Sequence, residues 1–316
     1  MQAVRLPGSD MTTVAPFPAT LLQRCPLCSS DAELMFTAVD ENHRISGEQF
    51  VYLKCRNCEC VFLSEAPADL GRYYQAEYYD IPSLERLQKV AHKDRNKINT
   101  VLRFAQGGRL LEIGPAFGVF AWQAKQAGFM VDVVEMDTRC CAYLQNTLGV
   151  NVTQSDNPAV AIQALPRHDV IALWHVLEHL PDPLAFLRAA SENLMPGGLL
   201  IIAMPNPDAW QFEVMGRRWP HLDAPRHLTL IPVAWLERQA MDFGLEKTYF
   251  TSDDSDARSW NLFGWQRLLM NRVSGKFSQR IMFIFGYILS LLMTPLDRRS
   301  RRGSAYTVVF RKKQAT

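Results

Sequence analysis

The stretch Leu110-Leu111-Glu112-Ile113-Gly114-Pro115-Ala116-Phe117-Gly118 constrains this chain more than any other. A short apolar run stops at a glycine and gives way, around Gly118, to a helix-like pattern over 118–128. Glycines there allow positive φ and close approach of the backbone to a ligand. In open α/β sheets, ligands bind at such carboxyl-end turns. The rest of 107–250 repeats the alternation. Arg109–Ile113, Met130–Val134, Val170–Trp174 and Leu199–Met204 read as buried parallel strands, with helical stretches around 138–148, 182–194 and 233–243. The pattern predicts an α/β fold with a doubly wound, Rossmann-like, mostly parallel sheet. Leu245–Phe250 and Ala305–Phe310 read as further strands that pair as an antiparallel C-terminal edge.

The chemistry of the turn separates two ligand classes. The dinucleotide pattern G-x-G-x-x-G is not met, because Ala116 stands at the second glycine. Glu112 lies two residues before the turn, where its charge would repel a pyrophosphate that a helix N-terminus attracts. S-adenosylmethionine has no phosphate and carries an ammonium and a sulfonium, so an acidic neighbour suits it. Glu135 closes the next strand about 20 residues on, where a carboxylate can accept ribose hydroxyls. The rivals are an NAD(P)-dependent oxidoreductase or epimerase on the same fold, and a non-catalytic scaffold that keeps a vestigial cofactor fold.

Four motifs in order resemble the class I S-adenosylmethionine-dependent methyltransferases. Glu112, Gly114 and Gly118 match the first, with Ala116 in place of its middle glycine; Val133-Val134-Glu135-Met136-Asp137 matches the second. Asp169 to Leu180 is similar to the family's fourth-strand motif, and Leu194-Met195-Pro196-Gly197-Gly198-Leu199-Leu200-Ile201 to its turn into the fifth strand. The resemblance implies that Glu135 binds the ribose, Asp156 reaches the adenine amino group, and Trp174 lines the cofactor pocket or packs in the core. Met136 would pack on the adenine or in the core.

Two Cys-x-x-Cys pairs, Cys25/Cys28 and Cys55/Cys58, flank 26 residues that can hold a hairpin. Four thiolates so spaced close a tetrahedral structural Zn²⁺ site. A redox reading lacks its βαβ context. Cys60 reads as a spare thiol. Residues 20–65 are therefore expected to form a small zinc ribbon, after a flexible tail over 1–19 and before a helical connector over 66–106. The methyltransferase domain takes 107–253 and 304–316, leaving 254–303 as an insertion. The layout resembles that of ribbon-bearing bacterial sugar- and polysaccharide-linked methyltransferases.

Methyl transfer is an in-line displacement at the sulfonium carbon, so the protein mainly aligns the acceptor. An oxygen or carbon acceptor also needs a base, for which histidine titrates in the right range. His227, in Asp223-Ala224-Pro225-Arg226-His227-Leu228, and His175, at the end of the fourth strand, are the candidate bases. A similar Pro-Arg-His-Leu stretch occurs in related bacterial methyltransferases. Arg226 and His221 are candidate substrate-binding residues, Arg226 for an acidic group. His175 and His179 are expected to share a helical face. His175 to His179 also spells the metalloprotease pattern H-x-x-E-H, but its place after a buried parallel strand argues against that chemistry.

Ile281–Leu296 runs without a charge, with Arg280 before it and Arg298, Arg299, Arg301 and Arg302 after it. Sixteen residues rise about 24 Å as a helix, short of the roughly 20 residues a bilayer needs. A buried helix or lid over the active site, an interfacial helix on anionic lipid, a true span and an oligomer contact are the readings it leaves. The interfacial one suits a lipid-linked acceptor. Net charge of +2 over 316 residues gives no basic footprint for nucleic acid. The first 19 residues contain no apolar run, which predicts a cytoplasmic protein, peripheral at the inner membrane face if 281–296 touches lipid. The expected activity is methylation of a small molecule or glycan.

Overall fold

The computed structural model describes residues 23–74 and 80–314. The tail expected over 1–19 lies outside them. Two sheets organise the chain. The first is antiparallel, with β1 (Gln23–Arg24), β2 (Asp31–Ala38), β3 (Phe50–Cys55) and β4 (Val61–Leu63) in order. Helices α1 (Leu84–Lys93) and α2 (Asn96–Leu102) follow.

The second sheet begins at β5 (Arg109–Ile113). It continues through α3 (Val119–Gln126), β6 (Met130–Glu135), α4 (Thr138–Tyr143), β7 (Asn151–Gln154), α5 (Pro158–Ala161), β8 (His168–Trp174), α6 (Pro183–Asn193) and β9 (Leu194–Pro205). Then come α7 (Trp210–Met215), β10 (Thr229–Leu230), α8 (Val233–Asp242), β11 (Leu245–Thr251), α9 (Ser255–Met270), α10 (Lys276–Asp297) and β12 (Ala305–Lys312). The strand order is β11-β12-β9-β8-β5-β6-β7. Only β12 runs against the others; it sits between β9 and β11, antiparallel to both.

The strands form where apolar residues run without alternation. Leu110, Leu111 and Ile113 of β5 are all buried, as a strand covered on both faces requires. One face packs on α2, α3 and α4, the other on α6 and α8. Local chemistry starts the helices. Asp137 accepts from Arg139 N and Cys140 N at 2.9 Å each to open α4, and Asp182 accepts from Ala185 N at 2.9 Å ahead of Pro183 to open α6.

Two features were not foreseen. Thr229↔Phe62 and Leu230↔Val61 add β10 to the ribbon sheet, so its last strand comes from the loop that carries His227. The charge-free run is only part of α10, a 22-residue helix long and apolar enough to cross a membrane by length and composition. It is not the buried helix of the lid reading, for only 11% of its apolar window is buried.

Candidate active site

Gly114, Ala116 and Gly118 at the end of β5 all take positive φ, at 65°, 51° and 80°. Positive φ and crowding together favour glycine at two of them. A Cβ on Gly114 would lie 2.8 Å from Val176 Cγ2, and one on Gly118 would lie 2.5 Å from Leu144 Cδ2. Ala116 tolerates its φ with a methyl, which explains how the departure from the family pattern is accommodated. Ala116 N donates to Glu135 Oε2 at 2.9 Å, while Met136 N and Asp137 N donate to Oε1 at 2.8 and 2.9 Å. Glu135 therefore locks the first turn to the second before any ribose arrives. Burial raises its carboxyl, against those three donors.

The remaining cofactor candidates ring the same turn. Met136 is 59% exposed and so is not a core side chain. Asp156 is exposed in the bend after β7. Trp174 is buried, edge-on to Phe120 at 5.2 Å, with Lys97 Nζ 5.5 Å above its ring. Burial pushes the Glu112 carboxyl up to about 8, with Lys97 opposing and Glu135 adding to the rise. Glu112 Oε2 and Trp174 Nε1 are buried without a hydrogen-bond partner. Such atoms call for a polar ligand, and a cationic, ribose-bearing cofactor fits them.

Next to the turn lies a cleft of about 570 Å³, lined by His175, His179, His221, His227, Asp223, Trp260 and neighbours. His175 and His179 do not share a helix. His175 takes φ 59°, and Leu177–His179 is a single 3₁₀ turn. A left-handed histidine is strained and marks a place to look for function. His175 Nε2 bonds Asp256 Oδ2 at 2.8 Å, and its ring stacks on Trp260 at 4.0 Å. Burial raises Asp256, but the charge of and hydrogen bond to His175 outweigh it, so the carboxyl lies below its ordinary value. His175 Nδ1 is buried without a hydrogen bond, 3.8 Å from Glu178 Oε1.

One expectation about this loop is corrected. Arg226 does not face a substrate. It is fully buried, its guanidinium held by Asp223 at 2.8 and 2.9 Å and by Asp40 at 2.8 Å. Asp40 lies just after β2, so Arg226 clamps the His227 loop onto the ribbon. His227 lines the cleft, and burial and neighbouring His179 push it down to about 3. Its Nδ1–H donates to His221 O at 2.8 Å. His221 is buried too, bonding Trp260 O through Nε2 at 2.9 Å and stacking on that ring at 4.4 Å, so it forms a wall of the cleft.

The four cysteines expected to bind metal come together. Their Sγ atoms lie within 4.8 Å of one another, Cys25–Cys58 at 3.5 Å and Cys28–Cys55 at 3.4 Å. A tetrahedral ion with Zn–S near 2.3 Å sets sulfurs about 3.8 Å apart, so the set fits. The two knuckles share a shape. Ser29 and Glu59, one past each second cysteine, take φ 58° and 60° and bond back to Cys25 O and Cys55 O. Backbone N–H groups of Leu27 and Asn57 point at Cys25 and Cys55 sulfur, as thiolates require. Cys60 lies outside the set.

Asp256, Glu178, His179 and Asp40 escaped the sequence reading as site residues. Glu178 and His179 stood inside the segment matched to the fourth-strand motif, in which only Trp174 and His175 were given roles. Asp256 and Asp40 carry no local signal, since their partners are 81 and 186 residues away.

Comparison with known proteins agrees with this geometry. A methyltransferase-domain family model matches residues 84–249, more than half of the chain. The chain is 25% identical over 194 residues to a ubiquinone biosynthesis O-methyltransferase of Nitrosospira multiformis, covering 53% of this chain and 81% of that one. A Cereibacter sphaeroides protein of the same name is 30% identical over 138 residues, covering 42% of this chain and 56% of its own length. Solved structures that superpose on the chain include an S-adenosylmethionine-dependent methyltransferase from Archaeoglobus fulgidus, at TM-score 0.48, 16% identity and 72% and 94% coverage. Another is a sarcosine dimethylglycine methyltransferase from Galdieria sulphuraria, at 0.49, 14%, 77% and 97%. With the turn, the sheet order and the family match in agreement, this chain belongs to the methyltransferase-domain family and is a class I S-adenosylmethionine-dependent methyltransferase.

Proposed function

We propose that this enzyme methylates a hydroxyl oxygen of a lipid-linked small molecule or glycan held in the histidine-lined cleft. The observation that carries the reading is that Val176, next to the cleft residue His175, fills the space a side chain at Gly114 would take. The cofactor turn thus abuts the segment that brings His175 to the cleft, and a methyl group held at the turn would face it. His175 Nδ1 takes the hydroxyl proton, with Asp256 fixing the tautomer and supporting the charge. The oxygen then attacks the methyl carbon as the C–S bond breaks, releasing S-adenosylhomocysteine. The O-methyltransferases among its relatives support an oxygen acceptor. Glu112 meets the cofactor ammonium, Glu135 the ribose, Met136 and Asp156 the adenine, and the cysteine cluster holds structural Zn²⁺.

Helix α10 supports a lipid-linked acceptor. Phe277, Phe283, Ile284, Ile288, Leu291 and Leu292 form a broad exposed apolar face, with Lys276, Arg280 and Arg299 at its ends. Apolar surface with basic flanks fits an anionic membrane interface, on the cytoplasmic side. Its other side packs on α9, the helix that supplies Trp260 to the cleft and Asp256 to His175. Lipid docking and acceptor entry would thus share one hairpin.

Calorimetry tests the cofactor assignment: S-adenosylhomocysteine should bind one to one and NAD(P) not at all. Tight dinucleotide binding alone would favour the oxidoreductase; no binding of either would favour the scaffold. Sedimentation with phosphatidylglycerol vesicles tests α10. Binding should be lost in Ile284→Asp/Leu291→Asp with cofactor affinity kept, and equal sedimentation of that variant would refute lipid docking.

A further inference from the structure

Glu178, His179 and His227 have no role in the reaction above, yet one donor atom from each lies within 4.8 Å of the others. Each ring is turned by its outer nitrogen. His227 Nδ1–H donates to His221 O at 2.8 Å, and His179 Nδ1–H to Arg226 O at 2.9 Å, beside the Tyr74 hydroxyl. That leaves the Nε2 lone pair of both rings for the cluster. Between them stands Glu178, fully buried, with neither carboxylate oxygen hydrogen-bonded. His227 Nε2 is 3.9 Å from Glu178 Oε1, too far for a hydrogen bond. Burying a carboxylate without a partner is costly.

We propose that Glu178, His179 and His227 bind a divalent transition metal of the zinc type. Ligands about 2.1 Å from a tetrahedral ion stand about 3.4 Å apart, so a contraction of roughly half an ångström from the observed 3.9 Å would bring Glu178 and His227 to that spacing, with the third ligand atom already within 4.8 Å of both. Two neutral imidazoles with one carboxylate suit Zn²⁺, Co²⁺ or Fe²⁺ rather than Mg²⁺ or Ca²⁺, which prefer oxygen. The carbonyls behind His179 and His227 are the outer supports that orient metal-binding histidines. The protease geometry is absent, for the motif forms a 3₁₀ turn and its first histidine bonds Asp256.

The open coordination position would face the cleft, beside His175 Nδ1, which is 3.8 Å from Glu178 Oε1. The ligand such an ion selects is an acidic hydroxyl, a phenol or an enol, over an ordinary alcohol. This deepens the proposed reaction and rests on it for the identity of the acceptor, though not for the existence of the site.

Metal content of the full chain tests it. Zinc-reconstituted protein should hold two ions per chain, falling to one in Glu178→Gln and in His179→Asn. Cobalt titration of the unmutated protein guards against misfolded variants. One equivalent should raise thiolate charge-transfer absorption in the near ultraviolet. The second should add only weak visible bands of nitrogen and oxygen ligation. A single equivalent in the unmutated protein, or unchanged content in both variants, overturns the site. Two ions without S-adenosylhomocysteine binding would sustain the site and sink the methyltransfer reading.

Discussion

The two halves of the active site are built differently. The centre of the cofactor half comes from one run of chain, β5 to the start of α4, with Asp156 and Trp174 at its margin, and it is held by backbone N–H groups donating to Glu135. The acceptor half is assembled from 40–43, 175–179, 220–227 and α9, and side chains hold it together. The ribbon braces only the second. Tyr52 OH donates to His227 O at 3.0 Å, Asn42 donates to Asp223 at 2.6 Å, Asp40 pairs with Arg226, and β4 pairs with β10. A half made of contiguous turn geometry tolerates drift elsewhere, whereas one held by distant partners fails when any partner is lost.

That contrast is easiest to break at the cysteines. Structural zinc in small peptides is worth about 10–16 kcal/mol, so Cys58→Ser should unfold the ribbon and abolish turnover. S-adenosylhomocysteine affinity should stay within a few fold. Affinity falling in step with turnover, by calorimetry and methyl release on one preparation, would show that the halves are not separable. A smaller effect is expected from Asp256→Asn, which frees the wrong tautomer of His175. A drop of roughly 100-fold in kcat with cofactor affinity unchanged is the expected outcome, the lower end of what general-base catalysis contributes, and an unchanged kcat would remove His175 as base.

The last prediction concerns the cofactor half alone. Glu112 is held near 8 by burial, and the cofactor ammonium binds its ionised form. Binding must therefore expel a proton below pH 8. Affinity should rise as pH increases, by up to about tenfold per unit between pH 6 and 8. It should level off above that, and flatten in Glu112→Gln. A slope of the opposite sign, or one retained in that variant, would mean that Glu112 stays neutral in the complex.

The strands and the cofactor turn were legible because their cause is local. The run Arg109–Ile113 matches β5 residue for residue, and the glycines at 114 and 118 take the φ that only such a turn demands. The cysteine pairs were legible for the same reason, since each knuckle is a closed turn of five residues. Arg226 was misjudged because residue type and loop position report neither burial nor a partner such as Asp40.

Sequence by itself thus determined the sheet, the cofactor turn and the thiolate cluster, where neighbouring residues along the chain supply the geometry. Tertiary structure alone decided which histidines face one another, that Asp256 orients His175, and that α10 turns its apolar face outward. These depend on packing between segments as much as 186 residues apart, whose docking leaves no periodic mark in either segment.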